Sequence, residues 1–340
     1  MSEIDNILSN KLQWHIEAGD AFEVLRRLPD ACIQTCVTSP PYFGLRDYGI
    51  DGQIGHEETH ELYISRLVEV FREVRRVLRK DGTLWLNLGD SYARKNLIGI
   101  PWRVAFALQT DGWFLRSDII WYKPNAMPES VKDRPTSSHE HIFLMSKSPH
   151  YYYNGGAIQE PSVGQTERDV TGPGYWAPGQ TPQRGNRHDK QSGHGRRYKG
   201  FNERWKSYSF ARSVNESPPP GKANQHRNER EKVEYKFVRN KRDVWSISTH
   251  PFKDAHFATF PPDLVEPCVL AGCPEQGMVL DPFCGSGTVG MVALRLGRKF
   301  LGIDLNPSYV QMSKRRIIED APLLNQEKDT IEIEGKEAST

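Results

Sequence analysis

The sequence predicts an α/β protein in which the nucleotide-binding half follows the rest of its own sheet, a circular permutation. Three observations lead there. Strand-like and helix-like segments alternate over the first 150 residues and again over the last hundred. A glycine-rich loop between a strand and a helix, Asp281-Pro282-Phe283-Cys284-Gly285-Ser286-Gly287-Thr288-Val289-Gly290, opens a nucleotide-binding unit. Only 36 residues remain beyond Asp304, at the end of the next strand, so the missing strands must come from upstream.

In chain order, Leu12 to Glu17 reads as a strand ending at Gly19-Asp20, and Ala21 to Leu28 as a short amphipathic helix. Cys32 to Val37 is short, β-branched and bounded by Pro, a buried strand that delivers Ser39 to the end of a sheet. Thr38-Ser39-Pro40-Pro41-Tyr42 then makes a rigid corner. Pro40 and Pro41 remove two backbone donors, so the corner offers acceptors beside an aromatic ring. It suits a planar substrate bearing an amino group, with Ser39 Oγ and the Pro40 carbonyl taking its protons and Tyr42 stacking on its face. A plain strand-to-turn transition with a capping Ser is the alternative at this point.

Gly44 to Gly55 is a Gly-rich loop holding Arg46 and Asp47. Glu61 to Lys80 carries apolar residues at helical spacing and stops at Arg79-Lys80 before Gly82. Thr83 to Leu88 is a strand, Pro101 to Gln109 a helix with Pro at its start, and Phe114 to Trp121 a strand. His141 to Met145 is one more strand, antiparallel at an edge. After the middle of the chain, Asp263 to Leu270 is helical, Val279-Leu280 a strand, Thr288 to Leu296 a helix, Lys299 to Ile303 a strand and Ser308 to Ile318 a helix. The polar tail after Pro322 is expected to fray. The expected divisions are residues 1–150, 151–250, 251–322 and a tail, 323–340.

The middle differs in chemistry. The net charge of the chain is +2, yet residues 151–250 hold 18 Lys and Arg against 10 Asp and Glu, a balance of +8 that leaves -6 elsewhere. Tyr175, Trp176, Tyr198, Phe201, Trp205, Tyr208, Phe210 and Tyr235 interleave with the cations, which fits a nucleic-acid surface better than a spacer. Mean hydropathy is -0.64, no apolar run approaches a membrane span, and the N-terminus lacks a signal-peptide pattern. The expectation is a cytoplasmic protein without membrane contact. Five cysteines with no C-x-x-C pair point to reduced thiols and no metal site.

The glycine loop contains a literal G-x-G-x-x-G, with Asp304 following 19 positions after Gly285. Asp281 at the strand tip would repel a pyrophosphate, so a ligand with a ribose and a positive or zwitterionic end fits better than a dinucleotide.

With these motifs in hand, the chain resembles the beta group of DNA amino-methyltransferases. The resemblance rests on Ser39-Pro40-Pro41-Tyr42, then a variable middle, then Asp281 to Thr288, in that order. Gly19-Asp20, Trp121-Tyr122-Lys123-Pro124-Asn125 and Phe257 to Pro261 extend it; Cys284 stands where the family often has Ala. It implies a Rossmann-like S-adenosylmethionine-dependent methyltransferase fold, with a mostly parallel seven-stranded sheet, helices on both faces and an irregular recognition insert. It implies S-adenosylmethionine as cofactor: Asp304 on the ribose hydroxyls, Asp20 on the adenine amine, Gly285 and Gly287 allowing close backbone approach, Asp281, Phe283 and Thr288 lining the methionine end, and Phe257, Phe260 and Pro261 shaping the rest. Asp20 as a simple helix cap, and Phe257 or Phe260 as core, are the structural alternatives.

The resemblance assigns Ser39, Pro40, Pro41 and Tyr42 to catalysis on an exocyclic amine of a base flipped out of double-stranded DNA. Ser at position 39 is the family's mark of cytosine N4 methylation, with adenine N6 as the rival. A non-catalytic DNA-binding protein and an RNA or protein methyltransferase are the readings from other classes. Lys123, Arg184, Arg187, Arg196, Arg197 and Arg242 are candidates for DNA contacts. A homodimer, a companion restriction endonuclease, and a prokaryotic or phage origin are what such an enzyme brings with it.

Overall fold

The computed structural model describes residues 3–45, 49–50, 52–161, 238–249 and 261–321. Helix α1 (Glu3–Leu8) precedes β1 (Trp14–Ala18), α2 (Ala21–Arg27) and β2 (Ile33–Thr38). Next come α3 (His60–Val77), β3 (Leu78–Leu88), the hairpin of β4 (Tyr92–Ala93) and β5 (Asn96–Leu97), α4 (Ile100–Thr110), β6 (Phe114–Tyr122) and β7 (His139–Ser146). The short strands β8 (Glu160–Pro161) and β9 (Val238–Arg239) pair with each other. Then follow β10 (Val244–Ser246), α5 (Pro262–Gly272), β11 (Met278–Asp281), α6 (Thr288–Arg295), β12 (Lys299–Asp304) and α7 (Pro307–Asp320).

The chain divides into two compact units. Residues 160–239 form one, in which Arg239 Nε donates to Glu160 Oε1 at 2.8 Å across the β8–β9 pair. Residues 1–159 and 240–340 form the other. The insert expected at 151–250 covers all of the first of these units.

In the larger unit the strand order is β1-β12-β11-β2-β3-β7-β6-β10. Neighbours run parallel except in the two pairs that β7 makes. The permuted topology is present: β11 and β12, last in sequence, sit between β1 and β2. Eight strands rather than seven make the sheet, because β10 adds to β6 from residues assigned to the insert. Its Trp245 is buried, with its ring 6.5 Å from that of Trp85, which holds the short strand in place.

Other expectations need correcting. β7 is antiparallel but interior, between β3 and β6. Helix α3 stops at Val77, and Arg79 and Lys80 belong to β3, which starts at Leu78. The short α1 was not expected; Ile4 and Ile7 bury one side of it.

The sheet is covered on both faces. Along β3, Leu84, Leu86 and Leu88 join α2, α3 and α4 in one core, while Trp85 joins α5 and α6 in the other. β7 alternates in the same way, Phe143 and Met145 to the first core and Ile142 and Leu144 to the second. A fully buried side chain of this size contributes about 1.5–3 kcal/mol, so the sheet ends are held on a stiff frame. No helix among the described residues is long and apolar enough to cross a membrane.

Candidate active site

A cavity of about 360 Å³ opens at the carboxyl ends of the parallel strands. Ser39 follows β2, Asp281 ends β11, Asp304 ends β12, Asp20 follows β1 and Lys123 follows β6; all line it. Asn87, near the end of β3, joins them. Because β7 runs the other way, its early residue Glu140 reaches the same end, opposite Trp121 of β6.

The acceptor corner is tied down from several sides. Tyr63 Oη of α3 donates to the Pro41 carbonyl at 2.9 Å, while no described residue donates to the Pro40 carbonyl. Ser39 Oγ donates to Tyr42 Oη at 3.3 Å, and Tyr42 Oη to Glu140 Oε2 at 2.7 Å. Asn87 Nδ2 donates to Tyr42 Oη at 2.7 Å and to Glu140 Oε2 at 2.8 Å, with Ser39 Oγ 3.4 Å away. That amide orientation is the one the Glu140 carboxylate requires, since the reverse would set oxygen against oxygen. Asn87 Oδ1 is then a buried acceptor without a partner among the described residues. Lys123 Nζ pairs with Glu140 Oε1 and lies 4.3 Å from the Trp121 ring centroid. Burial and the charge of Glu140 push the Tyr42 phenol well above its ordinary range. The ring rests on Gly89, where a Cβ would come within 2.6 Å of it.

The glycine loop faces this corner. Thr38 Oγ1 donates to Asp281 Oδ1 at 2.6 Å, and the Phe283 N–H donates to the same oxygen at 3.1 Å. Burial outweighs both and holds the Asp281 carboxyl up at about 7. Asp304 accepts from the Gly285 N–H at 2.7 Å and the Asn306 N–H at 2.8 Å; burial raises its carboxyl as well. Arg316 of α7 clamps the loop by donating to the Ser286 carbonyl, Ser286 Oγ and Thr288 Oγ1 at 3.0, 2.9 and 2.8 Å.

The two glycines have different reasons to be glycine. Gly285 has φ +51° and a Cβ there would meet only the Phe283 carbonyl oxygen, at 3.9 Å, among the described residues, whereas a Cβ on Gly287, at φ +76°, would come within 2.7 Å of Ser313 Cβ. The missing Cβ at Gly287 lets α6 start against α7, whereas the one at Gly285 is not required by a packing neighbour. Burial drives the Cys36 and Cys284 thiols well above their ordinary value, so neither is a thiolate nucleophile.

Comparison with known proteins settles what kind of site this is. The family described as DNA methylase, the N6/N4 methyltransferases, matches residues 33–315. The chain belongs to this family. It is a DNA amino-methyltransferase, and its cofactor is S-adenosylmethionine. Type II methyltransferase M.Cfr9I of Citrobacter freundii is 42% identical over 328 residues, 88% of this chain and 86% of that protein. Among solved structures, PvuII DNA methyltransferase (cytosine-N4-specific) aligns with a TM-score of 0.58 at 17% identity, over 92% of this chain and 93% of that one. TTHA0409 of Thermus thermophilus, complexed with S-adenosyl-L-methionine, aligns with a TM-score of 0.54 at 23% identity, over 92% and 97%. At those identities the two structures speak for the fold.

The cavity of this methyltransferase fits the cofactor. Asp20, Asp281, Phe283, Gly285, Thr288 and Asp304 all line it, and the space over Gly285 is what a bound group would use. Asp20 caps α2 through the Glu23 N–H at 3.0 Å and lines the cavity as well. Pro261 caps α5 and Gly287 caps α6; neither lines the cavity. Phe257, Phe260, Arg184, Arg187, Arg196 and Arg197 lie outside the described residues. Arg242 is exposed beside β10, and its carbonyl accepts from Trp245 Nε1 at 2.7 Å. Lys123 faces Glu140 within the cavity wall.

Asn87, Glu140, Tyr63 and Arg316 escaped the sequence reading. An Asn inside the apolar strand Leu86-Asn87-Leu88, and a Glu heading the apolar run Ile142 to Met145, were the available signals.

Proposed function

We propose that the chain methylates the exocyclic N4 amine of a cytosine turned out of double-stranded DNA. Bound over the glycine loop, S-adenosylmethionine supplies an electrophilic methyl group on a sulfonium. The chain's own residues prepare the nucleophile. An exocyclic amine is weakly nucleophilic because its lone pair is delocalised into the ring. Ser39 Oγ and the Pro40 carbonyl accept its two protons, which favours a pyramidal nitrogen with its lone pair directed at the methyl. Tyr42 stacks on the extruded base.

The carrying observation is the corner itself: a hydroxyl and an uncommitted carbonyl at the end of β2, beside the Asp281 loop. Ser at position 39, where the adenine enzymes of the family usually carry Asp or Asn, supports cytosine. The basic, aromatic-rich middle, with Arg184, Arg187, Arg196, Arg197 and Arg242, contacts the duplex in this reading. A companion restriction endonuclease belongs to the same reading, as the Type II naming of the relatives suggests.

Sequencing modified DNA from a host expressing the chain tests it, because base and context are read together. N4-methylcytosine at one short motif is expected. N6-methyladenine alone moves the assignment to adenine, and unmodified DNA removes it.

A further inference from the structure

We propose that Ser39, Tyr42 and Glu140 form a directed proton path that carries the surplus proton of the methylated amine away from the base and ends on Glu140. The inference rests on the amine-methylation reading above. The hydrogen bonds already point the right way. Ser39 Oγ donates to Tyr42 Oη and Tyr42 Oη donates to Glu140 Oε2, at 3.3 and 2.7 Å. With its own proton committed to Tyr42, Ser39 Oγ turns lone pairs toward the cavity, where the amine arrives. A chain of donors that ends on a carboxylate is polarised along its length, which makes Ser39 Oγ a stronger acceptor before any proton moves.

The rest of the constellation keeps the terminus ready. Lys123 Nζ takes Glu140 Oε1 and leaves Oε2 to Tyr42, so the carboxylate is fixed in orientation from both sides. Asn87 Nδ2 donates to Glu140 Oε2 and Tyr42 Oη together, fixing the distance between them. The phenol, raised by burial and by the Glu140 charge, stays protonated at rest and passes a proton only by receiving one. These residues come from the ends of four different strands, and all four line the cavity beside Ser39.

The step balances. As the nitrogen–methyl bond forms and the methyl–sulfonium bond breaks with its electron pair going to sulfur, positive charge develops on the amine nitrogen, which holds one N–H too many. That N–H bond breaks, its electron pair returning to nitrogen, as the proton binds Ser39 Oγ. The Ser39 proton passes to Tyr42 Oη, and the Tyr42 proton passes to Glu140 Oε2. The base ends neutral, Ser39 and Tyr42 end as they began, and the carboxylate becomes a carboxylic acid that returns its proton to water before the next turnover. Glu140 acts through Tyr42 and Ser39 and is a positioning residue in this sense.

The test is single-turnover transfer of labelled methyl from S-adenosylmethionine to duplex DNA by the full chain, with Tyr42→Phe and Glu140→Gln beside the unmodified protein. Tyr42→Phe keeps the stacking ring and removes no charge, so it guards against a folding defect in Glu140→Gln. Each variant is expected to slow transfer by about a hundredfold while cofactor and DNA dissociation constants stay unchanged. The rate plotted against deuterium fraction in the solvent should be bowed for the unmodified chain, as several moving protons require, and straight for both variants. Variants as fast as the unmodified chain overturn the path and leave amine methylation standing. Slow variants that keep the bowed plot also overturn it, because they reduce the network to a structural role. Absence of transfer by the unmodified chain overturns both readings.

Discussion

Thr38 donates its hydroxyl to Asp281 at 2.6 Å, across 243 residues of sequence. That bond joins the last residue of β2, which leads into the Ser39 corner, to the last residue of β11, which leads into the glycine loop. The two halves of the proposed reaction therefore share one buried contact.

Replacing Thr38 by Val keeps the shape and removes the donor. Asp281 is then left with only the Phe283 N–H at the same oxygen. A loss of about 1–3 kcal/mol in unfolding free energy is expected, together with weaker cofactor binding. Denaturant melts and calorimetric titration with S-adenosylmethionine read the two effects; an unchanged melt would mean that the bond contributes nothing.

Asp281 sets a pH dependence. Its folded-state value, about 7, lies above that of an unfolded Asp, so the fold favours the protonated form. The stability this confers is complete below the unfolded value and is lost as pH rises through about 7. Asp281→Asn cannot lose that proton. The variant without cofactor should match the unmodified chain in acid and exceed it at about pH 8, by at most about 4 kcal/mol at about 1.4 kcal/mol per unit. Parallel pH profiles of the two proteins would contradict this origin.

Gly285→Ala and Gly287→Ala should separate ligand space from packing. Both impose a positive φ on Ala, a cost of about 1–2 kcal/mol. Only Gly287→Ala also drives a Cβ into Ser313, so its melting temperature should fall further. Gly285→Ala should fold and bind the cofactor poorly. The opposite ranking of the melts would refute the assignment.

Ser39→Ala should keep cofactor affinity, because Ser39 touches Tyr42 and Asn87 and makes no bond to the glycine loop. Turnover should fall by roughly a hundredfold or more with the acceptor gone. Turnover equal to that of the unmodified chain would remove Ser39 from the reaction.

Much of this was legible in the sequence, for physical reasons. The corner at Ser39 to Tyr42 and the loop at Asp281 to Thr288 announce themselves because Pro and Gly constrain backbone locally. The permuted order followed from the Ser39 corner preceding the glycine loop along the chain. Contacts set by tertiary pairing were not legible. Glu140 reaches the site only because β7 is antiparallel, and β7 lies inside the sheet only because β6 and β10 extend it. The packing of Gly287 against Ser313 was equally hidden. Likewise, Trp121-Tyr122-Lys123-Pro124-Asn125 carries separate duties: Trp121 Nε1 donates to the Ile247 carbonyl at 2.8 Å, Asn125 Nδ2 to the Thr249 carbonyl at 3.0 Å, and Lys123 pairs with Glu140. No local pattern could assign them.

The most direct measurement is mass spectrometry of nucleosides from duplex DNA incubated with the chain and methyl-labelled S-adenosylmethionine. The account predicts label in N4-methylcytosine, formed roughly a hundredfold or more slowly when Ser39→Ala replaces the unmodified protein. Label confined to N6-methyladenine, or N4-methylcytosine formed equally well by Ser39→Ala, would contradict it.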